Sequence, residues 1–391
     1  MKISQRAQSI PPFYAMEFGK HAAALERQGH HVVKLSLGEP DFGAPPAVIE
    51  AMREQMDGRP LAYTEALGLP ALREAIAGFY RDRHGVEVAP ARIVITAGAS
   101  AALLLAAAAL VDPGDEVIVG DPSYPCNRQF LAAFGAQVKL VPTTAATRFQ
   151  LDLNSVRHHW GPRTRGLMIA TPSNPTGTSV GPDELAQICA WAQQHRAWRI
   201  IDEIYLNLSD PDGQGRSPLS ALSFDPDAVV INSFSKYFGM TGWRLGWCVV
   251  SEALVPAMER LAQNYYICPS TPAQHAALAC FTPESLAVCE ARRQIFAERR
   301  QQVLTALADI GLPVPAMPDG AFYVYFDVGP TGLDAWQFCQ RALDEAHVAL
   351  TPGKDFGLCS AHQHVRLSYA TATEELMEGM ARLQRFVKGL S

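Results

Sequence analysis

The chain has 391 residues, of which 48% are hydrophobic and 18% charged, a composition typical of a globular protein with a sizeable core. Its formal net charge is -6, with acids and bases interspersed, which excludes the broad basic surface needed to bind nucleic acid or an anionic membrane. The eight cysteines are scattered without a C-x-x-C pair, which argues against a zinc site or a disulfide framework and favours reduced thiols.

The N-terminal residues and one apolar run indicate the cellular compartment in which we expect the protein. The first residues carry no apolar stretch long enough for a signal peptide. The apolar run Ala101–Val111 is about half as long as a bilayer span, so we expect a buried helix there. A cytoplasmic protein, with no nucleic-acid or membrane partner and no metal site, is therefore expected.

From about residue 90, short apolar runs alternate with helical patterns. Short strands separated by helices predict a mostly parallel sheet covered on both faces, and such sheets bind ligands at the carboxyl ends of their strands. The predicted strands lie at residues 92–96, 115–119, 137–141, 165–171, 198–202, 228–232 and 246–250, with helices over 101–111, near 126–134 and at about 183–195.

Beyond the last of these strands the pattern becomes helical. Residues 284–311 read as one long amphipathic helix, and a smaller α/β unit with strands at 321–328 and 364–370 follows. The N-terminal residues show no sheet of their own, so we expect them to pack with this unit. The predicted division is residues 1–45 as an arm and part of the small domain, 46–290 as the large domain, and 291–391 as the rest of the small domain.

Candidate binding residues lie at the ends of three of the predicted strands. Ala99 and Ser100 come after the strand at 92–96 and open a helix, where free N–H groups and a hydroxyl suit a phosphate, although serine is also a common helix cap. Asn174 lies in the sequence SNPTG, where its amide could donate to a ligand, but these residues also favour a plain structural turn. Asp202 ends the strand at 198–202, where a partly buried carboxylate needs a cationic or donor partner or serves as a helix cap.

The segment INSFSKYFGMTGWRLGW, at residues 231–247, places Lys236 among aromatic residues and glycines, where an ammonium is costly to desolvate. An uncharged lysine can attack a carbonyl, whereas a surface lysine on a loop is the plainer alternative. Arg244, eight residues later, can direct two donors to a phosphate, and Ser233 can add a hydroxyl. A phosphate cradle, a lysine, an acid and hydrogen-bond donors at successive strand ends together suit pyridoxal phosphate.

On these motifs, the chain resembles the class I/II aminotransferases, pyridoxal-phosphate enzymes of fold type I in the aspartate aminotransferase superfamily. The resemblance implies an α/β fold, with a large domain built on a mostly parallel seven-stranded sheet between helices and a smaller α/β domain. Its markers run through almost the whole chain: SLGEPDF (36–42), YT (63–64), GLPALREAI (68–76), TAGAS (96–100), DPSYP (121–125), SNPTG, DEIY, SFSKYFGMTGWRLGW and VRLSYA.

The resemblance also implies roles for residues around the cofactor ring. Lys236 would hold pyridoxal phosphate as a Schiff base and then act as the general base, while Asp202 would pair with the protonated pyridine nitrogen. Tyr205 and Asn174 would donate to the phenolic oxygen, and Tyr124 would stack on the ring. The catalytic set implied in this way is Lys236, Asp202 and Tyr205.

The phosphate and the substrate would be bound by a second group of residues. Arg366 would grip the substrate carboxylate, with Asn174 and the backbone of Gly38 beside it, and closure of the small domain would exclude water. Tyr63 would reach the phosphate of the other subunit, which implies a homodimer with shared active sites. The phosphate of the same subunit would be held by the backbone of Ala99 and by Ser100, Ser233 and Arg244.

The expected reaction moves an amino group from an L-amino acid to a 2-oxo acid by a ping-pong mechanism. Related members that favour aspartate or glutamate often carry a lysine where this chain has Ser100, so we expect a neutral donor with an apolar or aromatic side chain, while glutamate remains an alternative through other contacts. Aromatic residues could line an apolar pocket, although most could equally belong to the core or to a dimer interface: Phe13, Tyr14, Phe18, Tyr265 and Tyr266.

Two other functions are compatible with parts of this pattern. A carbon–sulfur β-lyase of the same fold shares nearly every motif. A non-catalytic regulator that uses the fold as an effector-binding module usually carries a DNA-binding domain ahead of it. Since SLGEPDF begins at residue 36 and no basic helix is present, we do not expect that arrangement.

Overall fold

The computed structural model of the protein describes residues 1–390. Helices and strands alternate through most of this range, and both are numbered here in chain order. The helices are α1 (Gln5–Ser9), α2 (Tyr14–Arg27), α3 (Pro46–Gln55), α4 (Pro70–His84), α5 (Ala99–Leu110), α6 (Pro125–Ala133), α7 (Leu153–His159), α8 (Pro182–Gln194), α9 (Val255–Tyr265), α10 (Thr271–Ala277), α11 (Pro283–Ile310), α12 (Ala335–Ala346) and α13 (Thr373–Lys388). The strands are β1 (Val33–Lys34), β2 (Ile93–Thr96), β3 (Glu116–Asp121), β4 (Gln137–Pro142), β5 (Thr164–Ala170), β6 (Trp198–Asp202), β7 (Val229–Ser233), β8 (Gly246–Val249), β9 (Tyr323–Asp327), β10 (Val348–Ala349), β11 (Thr351–Pro352) and β12 (His364–Ser368).

A seven-stranded sheet in the order β2-β8-β7-β6-β5-β3-β4 forms the centre of the molecule. Strand β8 runs antiparallel to both of its neighbours, β2 and β7, and the other pairs in the sheet are parallel. The prediction of a mostly parallel seven-stranded sheet within an α/β fold is therefore confirmed. In such a sheet the carboxyl ends of β5, β6 and β7 meet at one edge.

Helix α5 explains the apolar run that the sequence places after the first sheet strand. It packs against α6, α9, β7 and β8, and five of its residues are buried: Ala102, Leu103, Leu105, Ala106 and Ala107. A helix that is apolar on all sides is stable only when it is covered on all sides. The helix begins at Ala99, directly after Gly98, whose positive φ of 84° is readily adopted by glycine.

A smaller antiparallel sheet, in the order β11-β12-β9, lies in the C-terminal part of the chain. Strand β1 pairs in parallel with β10, so the N-terminal residues contact this part of the molecule. The long helix α11 is capped by the Thr282 hydroxyl, which accepts from the backbone of Ser285, and it ends at Gly311 with a φ of 83°. The domain division at residues 45 and 290 stays a prediction.

Two further properties concern membranes and metals. Within residues 1–390, no helix is both long and apolar enough to cross a membrane. The same range contains no group of three or more His, Cys, Asp and Glu side chains suited to a metal ion.

Gly166 in β5 lies against the indole of Trp198 in β6, and a Cβ at this position would be 2.1 Å from a ring atom. We expect Gly166→Ala to lower the free energy of unfolding by about 1–3 kcal/mol, because the ring must move within a packed sheet. Gly120 in β3 is the matched control, since its Cβ would meet Leu151 at an ordinary 3.6 Å. Urea denaturation measures both variants, and equal stability of the two would contradict the prediction.

Candidate active site

A cavity of about 480 Å³ lies at the carboxyl ends of β5, β6 and β7. Both sheets contribute to its walls, together with the N-terminus of α5 and residues near positions 13–16 and 36–39. Every predicted site residue except Tyr63 lines it: Gly38, Ala99, Ser100, Tyr124, Asn174, Asp202, Tyr205, Ser233, Lys236, Arg244 and Arg366.

Lys236 follows β7 and extends into this cavity, where its Nζ donates a hydrogen bond of 2.6 Å to the carbonyl oxygen of Gly38. Burial lowers the pKa of Lys236 to about 8, and the cations of Arg366 and Arg244 act in the same direction. An appreciable fraction of the amine is therefore neutral near physiological pH. A neutral buried amine is a nucleophile and a proton acceptor.

Asp202 ends β6 and is 3% exposed. Its Oδ1 accepts a hydrogen bond of 3.2 Å from the N–H of Ile204. Burial raises the pKa of Asp202 to about 7, whereas this hydrogen bond and the Lys236 cation favour the charged form. The carboxylate would be stabilised by a ligand that places a positive charge beside it.

Tyr205 and Asn174 present hydrogen-bonding groups to the same cavity. The hydroxyl of Tyr205 lies 2.8 Å from that of Tyr323, and burial raises the pKa of Tyr205 well above its usual value, so it remains a neutral donor. The Oδ1 of Asn174 accepts from Arg366 at 2.9 Å. Its Nδ2 group is therefore the part of the amide that can donate to a ligand.

Arg366, on β12 of the smaller sheet, is 2% exposed. Besides its bond to Asn174, its Nη2 donates to the Ser36 carbonyl at 2.7 Å and to the Thr351 hydroxyl at 3.2 Å, so these bonds go to neutral oxygens. Its Nε is buried and has no hydrogen-bond partner in the described part of the chain. A buried guanidinium in these surroundings is suited to bind a carboxylate in bidentate fashion.

The other end of the cavity is built to hold an anion. Helix α5 begins there without an acidic residue in its first turn. The Arg244 guanidinium lies so close to Gly98 that a Cβ at position 98 would be 2.6 Å from its Nη2. Ser233 lies beside it, accepting from the N–H of Ser235 at 3.0 Å. A cation, hydroxyl groups and free helix N–H groups together suit a phosphate.

Several residues differ from, or add to, the predicted set. Tyr63 is 78% exposed and lies outside the cavity, where the single chain does not show a partner for its hydroxyl. Three residues outside the predicted set also line the cavity: Ser235, Thr241 and Tyr323. Ser235 and Thr241 belong to the lysine motif and could have been found by their proximity to Lys236. Tyr323 lies within an apolar strand and carried no signal.

The five aromatic candidates for the substrate pocket lie in different parts of the structure. Phe13 lines the cavity, with its ring centroid 6.3 Å from that of Tyr124. The others lie elsewhere: Tyr14 and Phe18 pack against Trp336, Tyr266 packs against the core around α9, and Tyr265 is 57% exposed. Of the five, Phe13 is therefore the one that lines the cavity.

Comparisons with known proteins agree with this geometry. The family model described as Aminotransferase class I and II matches residues 30–383. A valine–pyruvate aminotransferase of Mycobacterium tuberculosis is 40% identical over 383 residues, covering 98% of this chain and 97% of that protein. An arginine–pyruvate transaminase of Pseudomonas aeruginosa is 36% identical over 389 residues, covering 98% of this chain and 97% of that protein.

A solved structure gives the same result for the fold. The crystal structure of an aminotransferase from Mycobacterium tuberculosis is similar with a TM-score of 0.94 and 39% identity, and the match covers 100% of both chains. Sequence, cavity and fold lead to one family: the chain belongs to the class I and II aminotransferases and is an aminotransferase of the aspartate aminotransferase fold.

Proposed function

We propose that the protein transfers the amino group of a neutral L-amino acid to pyruvate, using pyridoxal phosphate attached through Lys236. The observation that carries this proposal is a buried lysine of lowered pKa that shares one cavity with an anion cradle and with a buried arginine whose Nε has no hydrogen-bond partner. Pyruvate is supported by the two relatives, whose names both include it, while their amino donors differ.

The residues of the cavity fit pyridoxal phosphate. The cradle at Gly98 has room for an anion only because a Cβ is absent there, since that atom would displace Arg244. The Asp202 carboxylate lies at the end of β6, where a protonated ring nitrogen would compensate its burial. The donors of Tyr205 and Asn174 suit the phenolic oxygen. Tyr124 would cover one face of the ring.

When bound, pyridoxal phosphate supplies an aldehyde that takes up amino groups and a ring that accepts electron density from the substrate α-carbon. Arg366 and Asn174 would hold the substrate carboxylate and thereby orient the α-carbon towards Lys236. Lys236 would remove and return the α-proton, because its pKa near 8 lets the same amine accept and donate a proton. One arginine serves both amino acid and oxo acid, so the two substrates would bind in turn, as ping-pong kinetics require.

The choice of a neutral donor rests on the side of the cavity that faces the substrate. Apolar groups of Phe13, Ala15, Met16 and Leu37 line it. Of the cavity's two arginines, Arg244 lies at the cradle, hydrogen-bonded to the Thr241 carbonyl at 2.9 Å. A second substrate carboxylate would therefore meet apolar side chains, which is costly without a partner.

We also propose that the protein is a cytoplasmic homodimer. All eight cysteines are free thiols, which suits a reducing compartment. Tyr63 projects from the surface, where its hydroxyl could reach the phosphate site of a second copy.

The titration of Lys236 is open to direct measurement in cofactor-free protein. Competitive acetylation followed by mass spectrometry should show Lys236 becoming reactive with a midpoint near pH 8. The charged form dominates below that pH and the nucleophilic form above it, because burial lowers the pKa. A lysine in a short peptide, with a pKa of about 10.4, is the reference. A midpoint at the peptide value would contradict this prediction.

Half-reactions of the holoenzyme test the proposed function. Mixing with L-valine or L-phenylalanine in the absence of pyruvate should yield one equivalent of 2-oxo acid, and later addition of pyruvate should yield alanine. Lys236→Ala should slow both steps by about 10²–10⁴-fold, the range expected for loss of a general base. Lys20→Ala is the control, because that side chain is 74% exposed.

Other outcomes of this experiment count against the proposal. Faster transfer from aspartate than from any neutral donor would overturn the donor assignment. Release of pyruvate and ammonia from a cysteine conjugate, without transfer, would show a β-lyase instead.

Removal of the Tyr63 hydroxyl tests the proposed dimer with shared active sites. Tyr63→Phe should weaken pyridoxal phosphate binding about tenfold, because a hydrogen bond to a charged group is lost. Tyr265→Phe, at an exposed tyrosine to which no phosphate contact is assigned, should leave the affinity unchanged. Absorbance titration gives both affinities, and sedimentation equilibrium should find two chains per particle. A monomer, or equal affinities in the two variants, would refute the shared site.

A further inference from the structure

The start of helix α2 forms part of the cavity wall. Phe13, Ala15 and Met16 line the cavity, and Phe13 precedes the helix. The first turn of a helix has N–H groups without intrahelical partners, and these are normally satisfied by the side chain of the cap residue. Phe13 makes no such bond. Another group must therefore hold this part of the wall.

Asp355 supplies that group from the far end of the chain. Its Oδ1 accepts from the N–H of Tyr14 and its Oδ2 from the N–H of Ala15, both at 2.7 Å. The residue follows β11 and is 3% exposed. A carboxylate at a helix N-terminus is further stabilised by the helix dipole. Both of its oxygens are thus used to fix the first turn of α2.

Neighbouring contacts hold the same turn from two more directions. The ring of Tyr14 lies 5.2 Å from the ring of Trp336, centroid to centroid, and the Lys354 Nζ lies 4.9 Å from the Tyr14 ring. Arg128 of α6 donates to the Asp355 carbonyl at 3.0 Å. Because α6 begins directly after Tyr124, this contact links the anchor to a second cavity residue.

We propose that Asp355 is a positioning residue that selects the amino donor: by capping α2 it holds Phe13 and Met16 as an apolar wall against the substrate side chain. The inference rests on the proposed function, because it concerns the side chain of a neutral substrate. A long apolar side chain reaches this wall, whereas the methyl group of L-alanine does not. Asp355 acts through the backbone of Tyr14 and Ala15, and its charge also interacts with the guanidinium of Arg366, a contact whose loss would affect all donors alike.

The test compares Asp355→Asn with Asp152→Asn in the holoenzyme. The asparagine keeps one acceptor but turns an NH₂ group towards a backbone N–H, so half of the anchor is lost. Asp152 also caps a helix, accepting from the N–H of Ser155 at 2.7 Å, but α7 does not line the cavity. It therefore controls for the loss of a helix cap as such.

Two readouts are needed. In Asp355→Asn, kcat/KM for L-valine and L-phenylalanine should fall about tenfold, chiefly through KM, and for L-alanine by less than about threefold. Amide hydrogen exchange at Tyr14 and Ala15 should become at least about tenfold faster. In Asp152→Asn the donor preference and the exchange at these two amides should stay unchanged.

A double-mutant comparison tests whether the effect passes through the wall. Phe13→Ala should reduce kcat/KM for L-phenylalanine by a similar factor, and adding Asp355→Asn to it should reduce kcat/KM little further. Independent, multiplying effects would overturn the role of Asp355 in positioning Phe13. An equal loss for alanine and for long side chains would overturn it as well, since that is the result of a purely structural defect.

Failure of the proposed function gives a different result. If the wild-type enzyme rejects all neutral donors, the proposed donor class is wrong and the selection of donors by Asp355 falls with it. If the wild type accepts them and Asp355→Asn keeps both its donor preference and its amide exchange, only the positioning role is refuted.

Discussion

The arrangement of polar groups in the cavity depends on the burial of one amine, the Nζ of Lys236. The proposed reaction of Lys236 with a carbonyl group requires that its charged form be disfavoured, and burial in the cavity lowers its pKa accordingly. The remaining polar groups are arranged so that this burial is tolerable, with the Gly38 carbonyl accepting from the amine and the Asp202 carboxylate nearby. The sheet supplies the rigid edge from which these groups project.

The central sheet and the smaller sheet contribute different binding groups to the cavity. The central sheet and α5 present the anion cradle and the acid: Asp202 and Ser233 are buried at the ends of β6 and β7, and Arg244 approaches Gly98 from the loop before β8. The smaller sheet presents Arg366, whose guanidinium reaches across to Asn174 of the other side. A substrate carboxylate bound there would add a charged link between the two parts of the molecule, which a cavity lined from one side could not provide.

Most of the fold, and most of the residues that line the cavity at the carboxyl ends of the strands, could be predicted from the sequence for a physical reason. Parallel buried strands read as short apolar runs, and the cavity residues lie at or just beyond their carboxyl ends: Asp202 is the last residue of β6, and Lys236 lies three residues after the end of β7. Tyr323 and Asp355 escaped prediction because their roles depend on contacts between distant parts of the chain. Tyr323 meets Tyr205 across 118 positions, and Asp355 meets Tyr14 across 341. No local pattern records such pairings.

The location of α2 has a consequence for how this family diversifies. Its first turn lines the cavity, whereas Lys236, Asp202 and Arg366 lie on or next to the strands of the two sheets. If the proposed donor selection holds, substitutions at positions 13–16 would change the preferred side chain without touching these three residues.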